Sequence, residues 1–240
     1  MRELPQIDPM SPRVNAYLQC VLGTGIFLLV NGMTQFSTAD LPQFFTYLSV
    51  AMLSATWKFK VPGVPVSYSA VFAFILMGIA NYSLGETLVI GCLATLVQCL
   101  WRTKRRRSPR RSARKVSFSV AVVAIGITIA YNPTHFVLSK GLQYAPRMLL
   151  LAALVYFTLN TALEAGIIAL VQEELYAPVW RKIVRHSALY HLSSGLIGAL
   201  IIVANRFWGW QSGLLMVTLL YLTYRFYGLY LAKRDGEAVL

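Results

Sequence analysis

Asn160, Thr161 and Glu164 stand together in the stretch LNTALEAGIIAL, which is otherwise apolar. On a helix Asn160 and Glu164 are one turn apart on one face, with Thr161 three residues before the carboxylate. A charged, unpaired carboxylate in mid-membrane costs at least ~2.5 kcal/mol. Glu164 must therefore face the bundle interior, pair, or carry a proton. The chemistry this allows is a proton, cation or ligand site; the plainer alternative is a buried hydrogen bond between helices. His191, in HSALYHLSSG, is the expected partner, with Ser194 three residues on along the same face and His186 before it at the interface. A histidine–carboxylate pair across neighbouring helices could titrate near neutral pH as a sensor or proton relay. The alternative is a histidine bonded to a helix backbone. The depths of the two do not match well, since Glu164 is well inside its segment and His191 about one turn into its own.

Other candidates carry less. Ser83-Leu84-Gly85-Glu86 has the form of a capping box, which puts Glu86 at a helix start where free N–H groups and the dipole favour a carboxylate. Glu173-Glu174 and Arg181 have the residue types of the EExxxR motif of CAAX-type intramembrane proteases, but Arg181 follows Glu174 by seven residues and not four. The downstream histidine motifs of those proteases are missing too. No nucleophile elbow, P-loop or HExxH occurs, and no catalytic activity is expected. Cys20, Cys92 and Cys99 all lie in apolar runs; Cys92 and Cys99 are about two helical turns apart, roughly 10 Å, too far for a disulfide. No pair has metal-ligand spacing, and no motif names a cofactor.

The segments that must position these residues are hydrophobic. Of the 240 residues 57% are hydrophobic and 13% charged, against about 25% charged in a soluble domain. That leaves too little polar surface for a water-soluble globule. Eight apolar runs approach the ~17–25 residues of a spanning helix: 14–33, 41–57, 65–82, 85–101, 116–131, 147–171, 187–205 and 210–231, of which the second and fifth are short. The expected fold is an all-α membrane bundle of about eight spans, with six or seven still open. It forms a single transmembrane domain over 1–240, with no soluble domain.

The stretch WRTKRRRSPRRSARK fixes the orientation. Arg102, Lys104, Arg105, Arg106, Arg107, Arg110, Arg111, Arg114 and Lys115 form a basic block between apolar runs, and such blocks stay cytoplasmic. With the N-terminus inside and eight spans, nineteen of the 22 Lys and Arg fall on the cytoplasmic side; only Lys140, Arg147 and Arg206 fall outside. The formal net charge of +13 is thus topological. The block lacks the interleaved aromatics of a single-strand nucleic-acid platform, so no nucleic acid is expected as a partner. Anionic lipid headgroups are, at about 1 kcal/mol per basic residue near the surface. Trp57, Trp101 and Trp180 fall at the expected cytoplasmic ends, and Trp208 and Trp210 at an outer turn, the level tryptophan favours.

Two stretches resemble a known family: 55–101 and 207–231. The first holds Lys58-Phe59-Lys60-Val61-Pro62-Gly63, Ser83-Leu84-Gly85-Glu86-Thr87-Leu88 and Leu96-Val97-Gln98-Cys99-Leu100-Trp101. The second holds Gly209-Trp210-Gln211 and the exit from Tyr224 to Leu231. Both resemble the multi-span (MASE-like) membrane sensor domain that precedes bacterial GGDEF diguanylate cyclases and HD-GYP phosphodiesterases. The resemblance implies a sensory module in a bacterial inner membrane, working through a protein partner or as a homodimer. No GGDEF or HD-GYP residues stand in this sequence, so cyclic-dinucleotide chemistry is not expected of it. Two other readings stand beside the sensor: a small-solute carrier component, as in vitamin importers, and an accessory subunit of a membrane complex.

Overall fold

The computed structural model describes residues 11–60, 67–69, 71–101, 109–138 and 145–211, and beyond these 214, 217, 218, 221, 222, 225, 226 and 229. Among the described residues the secondary structure is helical apart from one short hairpin. Helix α1 (Pro12–Met33) starts where the Ser11 hydroxyl accepts from the Val14 N–H (3.4 Å), with Pro12 in its first turn. Helix α2 (Leu41–Ser54) starts the same way, its Gln43 N–H donating to Asp40 Oδ1 at 3.0 Å. Strands β1 (Lys58–Lys60) and β2 (Ser67–Ser69) pair antiparallel, Phe59 opposite Tyr68. Then follow α3 (Val71–Asn81), α4 (Leu84–Leu100), α5 (Pro109–Leu138), α6 (Ala145–Gln172) and α7 (Tyr176–Trp208). The described residues between 214 and 229 are helical.

Three helical stretches are both long and apolar enough to cross a membrane: Pro12–Met33, Ala113–Phe136 and Arg147–Gln172. The eight expected spans therefore reduce to three that meet both criteria among the described residues. The expected second and third spans shorten most. Helix α2 stops at Ser54, and α3, with 11 residues, begins only at Val71 after the hairpin. At 1.5 Å per residue they measure about 21 and 16 Å, well short of a ~30 Å hydrocarbon core. Their apolarity has a different cause in α3, where Val71 through Ile79 are all buried. A helix apolar on every side can be wrapped by protein as well as by lipid.

Helix α5 is the inner helix. It packs on α1, α3, α4 and α6, and 61% of its most apolar window is buried, against 22% for α1 and 28% for α6. Small residues let its neighbours in: a Cβ on Gly25 of α1 would lie 2.5 Å from Ala121 Cβ, and one on Gly126 would lie 3.0 Å from the Tyr156 ring of α6.

Contacts gather alternate turns at common ends. At one end Gly85 abuts the Phe36 backbone, Tyr131 donates to the Tyr82 carbonyl (3.0 Å), and His135 Nε2 donates to the Ile79 carbonyl (2.7 Å). The Tyr47 hydroxyl lies 2.9 Å from Asn205 Oδ1 and 2.7 Å from the Trp210 carbonyl, and its one proton serves either. The opposite end holds exposed Arg13, Arg114, Lys115, Arg181, Lys182 and Arg185. Gly25→Val should force α1 off α5 and cost about 2 kcal/mol as overpacking, read as a fall in the thermal unfolding midpoint in detergent. An unchanged midpoint would mean that this close approach does not hold the helices together.

Candidate functional site

Helix α6 carries the carboxylate and is closed by a tight turn. Glu173 takes a left-handed conformation (φ 56°) and the Glu174 N–H returns to the Ala169 carbonyl at 3.0 Å, a Schellman arrangement. Glycine is the usual residue there, since a side chain at positive φ is strained. The turn sends the chain into α7 from Tyr176 on.

Within α6 the expected polar stripe forms. Asn160 stands one turn before Glu164 on the same face, near enough to act on its carboxyl, as does the charge of Lys115 on α5. Glu164 Oε2 is buried and has no hydrogen-bond partner. Thr161 is fully buried; its hydroxyl donates to the Phe157 carbonyl (2.8 Å) and accepts from Trp180 Nε1 of α7 (3.2 Å). Trp180 therefore does more than mark an interface: it ties the start of α7 to the stripe.

His191 does not join this group. Its Nδ1 lies 2.9 Å from the Ser187 carbonyl, and because a carbonyl only accepts, that nitrogen carries the proton. The ring sits between Phe72 (5.1 Å) and Phe157 (4.7 Å), centroid to centroid. None of these is a neighbour of Glu164 in the hydrogen-bonding and charge contacts above. The reason is depth: His191 is level with Phe157, and Glu164 lies seven residues further along α6, about 10 Å. The expected pair is thus two separate sites, and His191 takes the backbone-bonded arrangement.

The side chains of Ser194 and His186 lie outside the described residues, as do Arg102, Lys104, Arg105, Arg106 and Arg107. Arg110 and Arg111 belong to the first turn of α5, their side chains again outside; Arg114 and Lys115 are exposed. The Ser83–Glu86 box forms in full: Ser83 N–H and hydroxyl reach Glu86 Oε2 (2.9 and 2.8 Å), and the Glu86 N–H donates to Ser83 Oγ (3.3 Å). Glu86, 3% exposed, is a cap.

One feature has no counterpart in the sequence reading. A cleft of about 450 Å³ opens between α1, α6 and the start of α7, lined by Tyr17, Ala162, Leu163, Gly166, Ala169, Leu170, Glu174 and Tyr176. The Tyr17 hydroxyl donates to the Leu163 carbonyl (3.0 Å) and that of Tyr176 to the Ala162 carbonyl (3.5 Å). Partial burial raises the Tyr176 phenol above its ordinary pKa, so it stays a donor. Tyr176 also lies parallel to Trp180, ring centroids 6.3 Å apart. The small residues of α6 were the available signal, but their spacing reads as helix packing until Tyr17 is known to face them.

No family model, curated protein or solved structure matches this chain. Thr161→Val should remove the acceptor for Trp180, costing about 1 kcal/mol and shifting Trp180 emission in a protein where the other four tryptophans are replaced by phenylalanine. Unaltered emission would show that the Thr161–Trp180 bond is not made.

Proposed function

We propose that this chain is a membrane-embedded sensory or ligand-binding module whose responsive element is the Glu164 niche between α5, α6 and α7, and that it signals through a protein partner or a second copy. It sits in a bacterial inner membrane as eight spans with both termini cytoplasmic, the short α2 and α3 among them and the Lys58–Lys60 strand on the cytoplasmic side. The meeting of alternate turns at common ends and the crowding of basic residues at one end support that topology. The resemblance to the MASE-like sensors supports the role.

One observation carries the proposal: Glu164 Oε2 is buried in mid-helix without a hydrogen-bond partner, whereas the buried hydroxyls of Thr128, Thr134, Thr161 and Ser187 each bond a carbonyl of their own helix. A carboxyl held that way can gain or lose a proton, or take a cation, at low structural cost. Thr161 and Trp180 adjoin it and would carry the change into α7. The carrier reading is less well supported. It requires polar side chains to converge on one cavity, whereas Asn160 and Glu164 stand apart from His191, and Asn81 bonds the Met77 carbonyl of its own helix (3.2 Å).

Trp180 emission in proteoliposomes should respond to a pH or monovalent-cation titration. Glu164→Gln and Glu164→Leu should abolish the response while the variants insert normally. A response that survives both changes would remove Glu164 from the site. Replacing Arg102, Lys104, Arg105, Arg106, Arg107, Arg110, Arg111, Arg114 and Lys115 by glutamine should invert or scramble topology, read by cysteine accessibility from each side, before it alters any ligand response. Normal insertion with reduced binding to anionic vesicles would instead make the block a lipid-binding element and not the topology anchor.

A further inference from the structure

The cleft between α1, α6 and the start of α7 lies on the face of α6 away from Glu164: Ala162 and Gly166 are each two residues from Glu164, about 200° around the helix. It is thus a second feature, independent of the carboxyl niche. Its walls are apolar over two turns of α6, from Ala162 to Leu170, and two tyrosine hydroxyls are anchored to the backbone of that helix. The flanking α1 and α6 are the two less buried membrane-length helices, so the cleft opens on the side of the bundle that meets lipid. Glu174, an exposed residue at the turn into α7, is part of its lining. Arg13 precedes Tyr17 by four residues, so it stands one turn further out on the same face of α1.

That combination selects a ligand. We propose that the cleft binds one phospholipid with a primary-amine headgroup, phosphatidylethanolamine, its acyl chain along Ala162, Leu163 and Leu170 beside the Tyr17 ring, its ammonium on Glu174 and its phosphate toward Arg13. Charge complementarity favours this occupant over an anionic lipid. The rim at this end is basic, with Arg13, Arg114, Lys115, Arg181, Lys182 and Arg185 exposed, and would hold anionic headgroups anywhere along it. The cleft differs from that rim by presenting a carboxylate, which repels a net-negative headgroup and suits a zwitterion with an exposed ammonium. Tyr17 and Tyr176 stand where aromatic residues favour the headgroup boundary.

The test is native mass spectrometry of the full chain released from vesicles holding equal phosphatidylethanolamine, phosphatidylcholine and phosphatidylglycerol. One tightly held lipid is expected, with phosphatidylethanolamine preferred over either competitor by about fivefold, the effect of one well-placed charge. Glu174→Gln, a surface change that leaves the fold alone, should keep the lipid but cut the preference below about twofold. Ala162→Trp should empty the cleft; should that variant fail to fold, the Glu174→Gln comparison still decides. Equal retention of the three lipids, or a preference that Glu174→Gln leaves intact, overturns the proposal. Retention of phosphatidylcholine equal to phosphatidylethanolamine overturns the primary-amine assignment, and a preference for phosphatidylglycerol assigns the binding to the basic rim.

Discussion

How closely the other helices approach α5 governs the rest of this bundle. In lipid, burying apolar surface brings little gain, because the acyl chains are as apolar as the side chains; association relies on close packing and hydrogen bonds. Gly25 against Ala121, and Gly126 under the Tyr156 ring, bring α1 and α6 onto α5 from two sides. With α5 held there, Lys115 is within electrostatic range of Glu164 and α1 presents Tyr17 to α6. The carboxyl niche and the cleft both follow from that arrangement.

The same apolar surroundings explain how Glu164 differs from the buried hydroxyls in these helices. Backbone and side-chain polar groups without water must find partners inside the protein. Thr128, Thr134, Thr161 and Ser187 each return their hydroxyl to the carbonyl four residues earlier, at 2.7 to 2.9 Å. These residues are thereby neutralised within their own helix and imply no ligand. Glutamate is too long and too strong an acceptor for that solution, having no proton to return when ionised. Glu164 Oε2 is left buried without a hydrogen-bond partner.

Local chemistry was legible in the sequence, and tertiary depth was not. The Ser83–Glu86 box follows from four adjacent residues, and the helical class follows from the charge deficit; both could be read directly. The Asn160–Glu164 contact also depends on a single helical turn. The lengths of α2 and α3 could not be read, because the run from Leu41 to Trp57 is apolar whether its last residues are helical or lead into a hairpin. The Glu164–His191 pairing failed for a related reason: it required the relative axial position of two helices, which the Glu173 turn and the crossing of α6 and α7 set, and which no residue spacing encodes. The bond of Trp180 to Thr161 depends on that same crossing.

Helix α7 connects the two features. Its 33 residues make it about 50 Å long. The first turns are two-faced: Arg181, Lys182 and Arg185 are exposed while Val179, Ile183 and Ser187 are buried along one seam. On this same stretch Tyr176 lines the cleft and Trp180, stacked beside it, bonds Thr161 next to the carboxyl niche. The α6 residues reached from these two rings, Ala162 and Thr161, are consecutive and point to different sides of the helix. A displacement of the first turns of α7 would therefore reach the surroundings of both, although the two lie on different faces of α6.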